Sequence, residues 1–187
     1  MAGLTVGALA AGAVPTRADA VSLKRKVDGI NEFSARPTQQ VRRTMVTENE
    51  LNAYLAYDVG ERLPDGVVEP GITIVGAGRV TARAVVDLDA VRKQKPRGLL
   101  DPLNYVSGRV PMTATGVIRT GNGVGYLDVE TAAVGPLPIP KIVLQEIVSY
   151  YSRSPERPSG IGLDDPFALP ARIREIQVEA GHAIVVQ

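Results

Sequence analysis

Residues 79–91 read RVTARAVVDLDAV, and apolar side chains occupy every second position of this stretch, from Val80 to Ala90. Apart from Val85, the positions between them carry threonine, arginine or aspartate. Alternation with a period of two is typical of a β-strand that has one sheltered face and one face in water, as antiparallel sheets allow. We therefore expect a half-buried strand of an antiparallel sheet over residues 79–91.

Further strands flank this segment on both sides. Asn122-Gly123 predicts a tight hairpin turn because this pair accepts positive φ values, and Pro70-Gly71 favours an edge position or a bulge. A weaker first edge strand is expected over residues 40–46. With residues 79–91, the remaining predicted strands are residues 67–75, 109–120, 124–134, 173–180 and 183–187.

Two helices are predicted. Thr47 and Glu50 form a capping box, which predicts that a helix begins at this point. Residues 141–153, which follow Pro140, are apolar on nearly every side, so we expect this second helix to lie inside the protein. A short helical turn is expected over residues 167–172. Together these elements predict an α+β fold, in which a strongly curved antiparallel sheet of about five to seven strands wraps around the apolar helix, with a second, N-terminal helix that packs on the core.

The N-terminal region has the pattern of an export signal. An apolar run over residues 4–14 is followed by Ala18-Asp19-Ala20, which matches the small-residue rule for signal-peptide cleavage, although no basic residue precedes the run. The alternative is a buried N-terminal helix. We expect a signal peptide over residues 1–20 cleaved after Ala20, a lead-in over residues 21–46, a single domain over residues 47–187, and a periplasmic or secreted location.

Composition and side-chain chemistry argue against several functions. The chain has 187 residues, a net charge of +1 and no cysteine, so we expect no nucleic-acid partner, no disulfide and no cysteine-based metal site. His182 is the one histidine, which leaves little for a metal site or a Ser-His-Asp triad. We expect the paired carboxylates Asp87 with Asp89, on one strand face, and Asp164 with Asp165, in a loop, to be exposed. Exposed surfaces do not drive the pKa values of two carboxyl groups apart, as acid-base catalysis would require. We expect no catalytic residues, no metal and no cofactor.

The order of these elements resembles a known superfamily. The motif T-E-x-E-L-N-x-Y-L at residues 47–55, the strands of residues 67–134, the motif P-K-x-x-x-Q-E-I at residues 140–147 and the final strand pair within residues 169–187 are similar to single-module bacterial members of the tubular lipid-binding (TULIP) superfamily. The resemblance implies a curved sheet that wraps a long helix and leaves an apolar groove for an acyl chain, a sterol or another hydrophobic ligand. It implies no catalytic residues.

The sheltered strand faces are rich in Ala, Gly and Val, which are too small to fill the concavity of a twisted sheet, so the sequence predicts a cavity. We expect a soluble envelope protein that binds or transfers lipid, with transient membrane contact and a possible envelope protein partner. The alternatives are a structural or partner-docking protein without lipid, and, for each residue, an ordinary place in the core. The candidate groove residues are Ala82, Ala84, Val86, Leu88, Met112, Ala114, Ile118, Val143, Ile147 and Tyr151.

Overall fold

The computed structural model describes residues 14–59, 63, 66–93 and 108–187, and its elements form two antiparallel sheets with helices beside them. The helices are α1 (Arg17–Ser34), α2 (Glu48–Tyr57), α3 (Leu88–Lys93) and α4 (Lys141–Tyr151). The strands are β1 (Arg43–Thr47), β2 (Val67–Gly76), β3 (Arg79–Asp87), β4 (Arg109–Gly121), β5 (Val124–Val134), β6 (Leu137–Pro138), β7 (Phe167–Ala168), β8 (Glu175–Glu179) and β9 (His182–Val186). The α+β class and the large antiparallel sheet are confirmed.

The large sheet has six strands in the order β2-β3-β4-β5-β6, and β7 also pairs with β5. Its hairpin turns follow the predicted chemistry, because Asn122 and Gly123 both have positive φ values, 51° and 80°. Strand β3 ends at Asp87, four residues earlier than predicted. The Asp87 Oδ1 atom accepts hydrogen bonds from the backbone N–H groups of Asp89 (3.1 Å) and Ala90 (3.0 Å), so this side chain caps α3.

A second sheet has three strands in the order β1-β9-β8. The predicted closing pair of strands is confirmed as β8 and β9, and the predicted first edge strand is β1, but these strands pair with each other and form no ladder with the large sheet. The buried core lies between this small sheet and α1, and its members are Leu23, Ile30, Val46, Ile173 and Val185. The predicted helical turn over residues 167–172 is wrong, since β7 and a turn occupy that position.

Helix α1 replaces most of the predicted lead-in. Thr16 and Asp19 form a capping box at its start, and Ala20 and Leu23 are only 3% and 4% exposed. The predicted cleavage point after Ala20 therefore lies within the first turn of α1. The apolar run that predicted export falls largely on residues 1–13, which lie outside the described residues.

Glu50 joins α1 to α2. Its carboxylate, in a residue 5% exposed, accepts hydrogen bonds from the Ser22 hydroxyl (2.6 Å), the Lys26 ammonium (2.7 Å) and the Thr47 amide (2.9 Å). Burial alone would raise the pKa of Glu50, but the bonds from Lys26, Ser22 and Thr47 outweigh it and hold the pKa below its ordinary value.

This network predicts a pH dependence of stability. Because the pKa of Glu50 is lower in the folded state, its contribution is present above the unfolded pKa of about 4.5 and is lost as the pH falls through the folded value. We expect the free energy of unfolding of Glu50→Gln to lie below that of the original protein at pH 7, and the gap to shrink at pH 3. Urea unfolding of both proteins at several pH values measures this. A gap that stays constant or widens on acidification would contradict the prediction.

The outer edge of β2 is covered by side chains of α2. The Asn52 amide both accepts from the Ile72 N–H (2.7 Å) and donates to the Ile72 carbonyl (2.8 Å), as a neighbouring strand would. Glu48 accepts a hydrogen bond from the Ile74 N–H (2.7 Å). An open sheet edge invites pairing with other chains, so α2 protects this one.

Helix α4 belongs to an insertion at the opposite edge of the sheet. Strands β6 and β7 both pair with the edge of β5 that β4 leaves free. If β6 continued along β5 in the same register, residue 146 would pair with Gly125. Phe167 pairs with Gly125 instead, so 21 residues between β6 and β7 are looped out of the sheet. Helix α4 lies in this loop and packs against β5.

The expected burial of α4 is not observed. Its apolar side chains Ile142, Val143 and Ile147 are 74%, 46% and 38% exposed. Polar side chains instead bond the loop that follows the helix: Gln145 Oε1 accepts from the Leu163 amide (2.7 Å), and Oγ of Ser152, the residue after the helix, accepts from the Ile161 amide (2.7 Å). The helix is thus held with much of its apolar surface facing out.

Candidate functional site

The candidate site is one face of the large sheet. Antiparallel register places Ile72 opposite Ala82, Ala82 opposite Ala114, and Ala114 opposite Ala132, so one row of apolar residues crosses four strands. Three of the four residues in this row are alanine. Side chains that share a face come close across a pair of strands, and short ones leave free volume above the row.

Neighbouring rows extend this surface on both sides. Ala84 pairs with Met112, and Val86 pairs with Val110. We call the whole surface the apolar face; its residues are Ile72, Ile74, Val80, Ala82, Ala84, Val86, Val110, Met112, Ala114, Gly116, Ile118, Leu127, Val129, Ala132 and Val134. Six of the predicted groove residues are brought together here: Ala82, Ala84, Val86, Met112, Ala114 and Ile118.

The opposite face of the same sheet carries the charged and hydroxyl side chains, together with Val68, Val85 and Val117. Arg79 donates to both carboxylate oxygens of Glu130 at 2.9 and 2.8 Å, which lowers the pKa of Glu130 and raises that of Arg79. The Thr81 and Thr115 hydroxyls are 2.9 Å apart across β3 and β4. Because the polar groups of these strands lie on this side, the apolar face presents almost nothing but aliphatic groups.

The apolar face is only partly covered. Ala82 is exposed, Ala84, Met112 and Ala114 are half-buried, and Ile74 and Ala132 are buried. Among the residues that the structure describes, no large side chain is fully buried. The well-packed core lies against the small sheet instead. An apolar surface left accessible in this way is a candidate for ligand or partner binding.

Four predicted groove residues are not part of this surface. Leu88 lies in α3 because Asp87 ends the strand, and Val143 and Ile147 lie on α4 with their side chains exposed. The side chain of Tyr151 lies outside the described residues.

Sequence reasoning also missed residues of the apolar face on β2 and β5, such as Ile72, Leu127 and Val129. Strand β2 has a register shift between Val68 and Gly71, and β5 has one opposite Thr115 and Gly116 of β4. Each shift inserts one extra residue, so the residues beyond it point to the opposite face from the one that strict alternation predicts. A count with a strict period of two fails across such a bulge. The Pro70-Gly71 pair was the one signal that could have located the first of them.

The carboxylates weighed for catalysis have structural roles. Asp87 caps α3, and the backbone N–H of Ala90 chiefly lowers its pKa. Asp89 accepts from the Gly108 amide (3.0 Å), and Asp164 is 2.8 Å from Lys141 Nζ. His182 Nε2 is 3.2 Å from Glu179 Oε2 at the surface hairpin. In the described ranges, no group of three or more His, Asp or Glu side chains is placed to hold a metal ion.

The chain matches no protein-family model, no curated protein and no solved structure. Within the part of the chain that the structure describes, none of the helices combines the length and apolar character needed to cross a bilayer.

Proposed function

We propose that this protein binds an elongated hydrophobic ligand, such as an acyl chain, on the apolar face of its large sheet. The observation that carries the proposal is the row Ile72, Ala82, Ala114 and Ala132, which is aliphatic across four strands and is accessible at Ala82. Such a ligand needs no specific polar partner, because each methylene removed from water contributes about 0.8 kcal/mol.

Helix α4 supplies a second wall in this proposal. It packs beside β5, the strand that contributes Leu127 and Val129 to the apolar face. Val143 and Ile147 on this helix are exposed, and a ligand that covered them would gain free energy of binding. The groove we propose therefore lies between the sheet and α4, with α4 as its border.

The proposal includes a role as a soluble carrier or binder in the cell envelope. An acyl chain gains little free energy on moving from a bilayer to an aliphatic groove, so loading and release need no energy source. Transient contact with a membrane follows from this exchange.

We expect lipid to accompany the protein when it is purified from its own envelope without detergent. Native mass spectrometry should show a discrete added mass, and solvent extraction should release a hydrophobic molecule. A chain that is empty on isolation, and that takes up no fluorescent fatty acid when titrated, would contradict the proposal.

A second candidate function is docking of a partner protein without lipid. The observation that favours it is the exposure of Ile142 (74%) and Tyr150 (49%) on α4, since exposed apolar clusters often mark interaction sites. The same mass spectrometry separates the two functions, because a docking module would carry protein and no lipid.

A further inference from the structure

Strand β1 is an edge strand of the small sheet, and it pairs with β9 on one side only. Arg42 and Gln187 exchange both backbone hydrogen bonds (3.3 and 3.0 Å), in the register that the two strands continue. Hydrogen-bonded pairs alternate along an antiparallel ladder, so the even-numbered residues of β1 bond β9. The backbone N–H and C=O groups of Arg43 and Met45 therefore point to the outer edge.

The four backbone groups of Arg43 and Met45 have no hydrogen-bond partner in the described part of the chain. The next residue on this edge shows the outward direction, because the N–H of Thr47 donates to Glu50 Oε2 (2.9 Å) and not to β9. The side chains of Arg43 and Met45 are exposed as well, Met45 by 52%. This stretch of the edge is thus open to a strand from outside.

Other strand edges of this protein are protected. Side chains of α2 cover β2, and β5 carries β6 and β7. On β8, the Thr120 hydroxyl accepts from the Ile176 N–H (2.7 Å) and donates to the Ile176 carbonyl (3.0 Å), and the Gly78 N–H donates to the Val178 carbonyl (3.1 Å). Beside residues 43–45, by contrast, the described structure places neither a strand nor a hydrogen-bonding side chain.

The charge around this edge favours one kind of partner. Residues 35–46 contain Arg36, Arg42 and Arg43 and no acidic residue. Within the described ranges, none of these arginines pairs with a carboxylate. Antiparallel pairing of two copies about Thr44 would place the Arg43 residues of both copies about 7 to 8 Å apart on one face, where like charges repel. An acidic strand would meet attraction at the same position.

We propose that the outer edge of β1 binds an extended acidic segment of another protein, which adds to the small sheet as a fourth strand, antiparallel to β1. Its backbone exchanges hydrogen bonds with the N–H and C=O groups of Arg43 and Met45, and these bonds supply the affinity. An acidic side chain opposite Arg43 and an apolar side chain opposite Met45 supply the preference for this partner. The interface uses no residue of the apolar face.

A library of random eight-residue peptides displayed on phage, selected against the full chain, is the first probe. We expect the enriched peptides to lack proline and to carry an acidic residue two positions after an apolar one, as antiparallel pairing with Arg43 and Met45 requires. Binding of such a peptide should weaken as the salt concentration rises. No enrichment, or enrichment of peptides without acidic residues, would overturn the proposal.

Met45→Pro tests the backbone contact, and Met45→Ala is its matched control. Proline removes an N–H that points away from β9, so the ladder with β9 stays intact. In anisotropy titrations with a labelled enriched peptide, we expect Met45→Pro to lose about tenfold in affinity and Met45→Ala, which keeps the N–H, about threefold or less. Urea unfolding verifies that both variants fold. Equal losses in the two variants would overturn the strand-addition contact.

A charge exchange tests the preference for an acidic partner. Arg43 is exposed, so Arg43→Glu should fold, and we expect it to bind the enriched peptide about tenfold more weakly. A peptide in which lysine replaces the acidic residue should recover the affinity for this variant. Arg83→Glu is the control, because Arg83 is also exposed but lies on the large sheet, near Thr73. No recovery, or an equal loss in Arg83→Glu, would contradict the assignment.

Size-exclusion chromatography with light scattering distinguishes the other occupant of this edge, a second copy of the chain. We expect the full chain to be monomeric without peptide. A dimer that Met45→Pro dissociates would assign the edge to self-pairing and exclude the acidic partner. Ala114→Trp should bind the peptide as tightly as the original protein, so failure of the lipid groove and failure of this interface are observed separately.

Discussion

Ala114→Trp is expected to abolish uptake of a hydrophobic ligand, with at least a tenfold loss of affinity, while the protein stays folded. Ala114 lies at the centre of the row that runs from Ile72 to Ala132, with Ala82 on one side and Ala132 on the other. An indole ring at this point would occupy the volume that the alanines leave free. Titration with a fluorescent fatty acid measures the affinity, and urea unfolding measures stability.

Thr113→Trp is the matched control for this substitution. Thr113 is the preceding residue of the same strand, is exposed, and lies on the polar face opposite Ala133. We expect its ligand affinity to equal that of the original protein. If the apolar face were instead a packed core, Ala114→Trp would overpack it and lower the free energy of unfolding by about 1 to 3 kcal/mol. That loss, or equal loss of uptake in both variants, would exclude the groove.

Asn52→Ala should lower the free energy of unfolding by about 3 kcal/mol, because it leaves both a backbone donor and a backbone acceptor of Ile72 without partners. Asn52 is 9% exposed, so water replaces its amide poorly. Ile72 is also the end of the alanine row, so a loosened β2 should weaken ligand binding as well. Urea unfolding and the fatty-acid titration measure the two effects.

Asn49→Ala on the same helix is the control. Asn49 is half-buried and makes no side-chain hydrogen bond in the described structure, so we expect its free energy of unfolding to change by less than about 0.5 kcal/mol. Alanine has a higher helix propensity than asparagine, so propensity alone would favour the helix in both variants. A similar loss in both would mean that a general disturbance of α2, and not the amide contact with Ile72, accounts for the effect.

Local chemistry in the sequence was sufficient for much of the fold. The capping box at Thr47 and the hairpin at Asn122 depend on a few adjacent residues, and both are confirmed. The alternation in residues 79–87 and 109–120 correctly assigned Ala82 and Ala114 to one face. Signals of this kind act over two to four residues, which is why a sequence shows them directly.

Other features depended on contacts between distant residues. Nothing local to Gln187 shows that its amide meets Ile30 and Ala171, and nothing local to Asn52 shows that it pairs with the edge of β2. The apolar composition of α4 predicted burial, but its apolar side chains are exposed, and Gln145 and Ser152 bond the loop that follows the helix.

The sequence by itself determined where strands turn, where α2 begins and which residues of β3 and β4 share the apolar face, because φ preferences, capping and side-chain alternation are properties of neighbouring residues. Only the tertiary structure decided that the closing strands join β1 in a separate sheet, that the core lies against α1, and that α4 lies outside the large sheet. These arrangements depend on which surfaces pack together, and composition alone does not specify the partner of a surface.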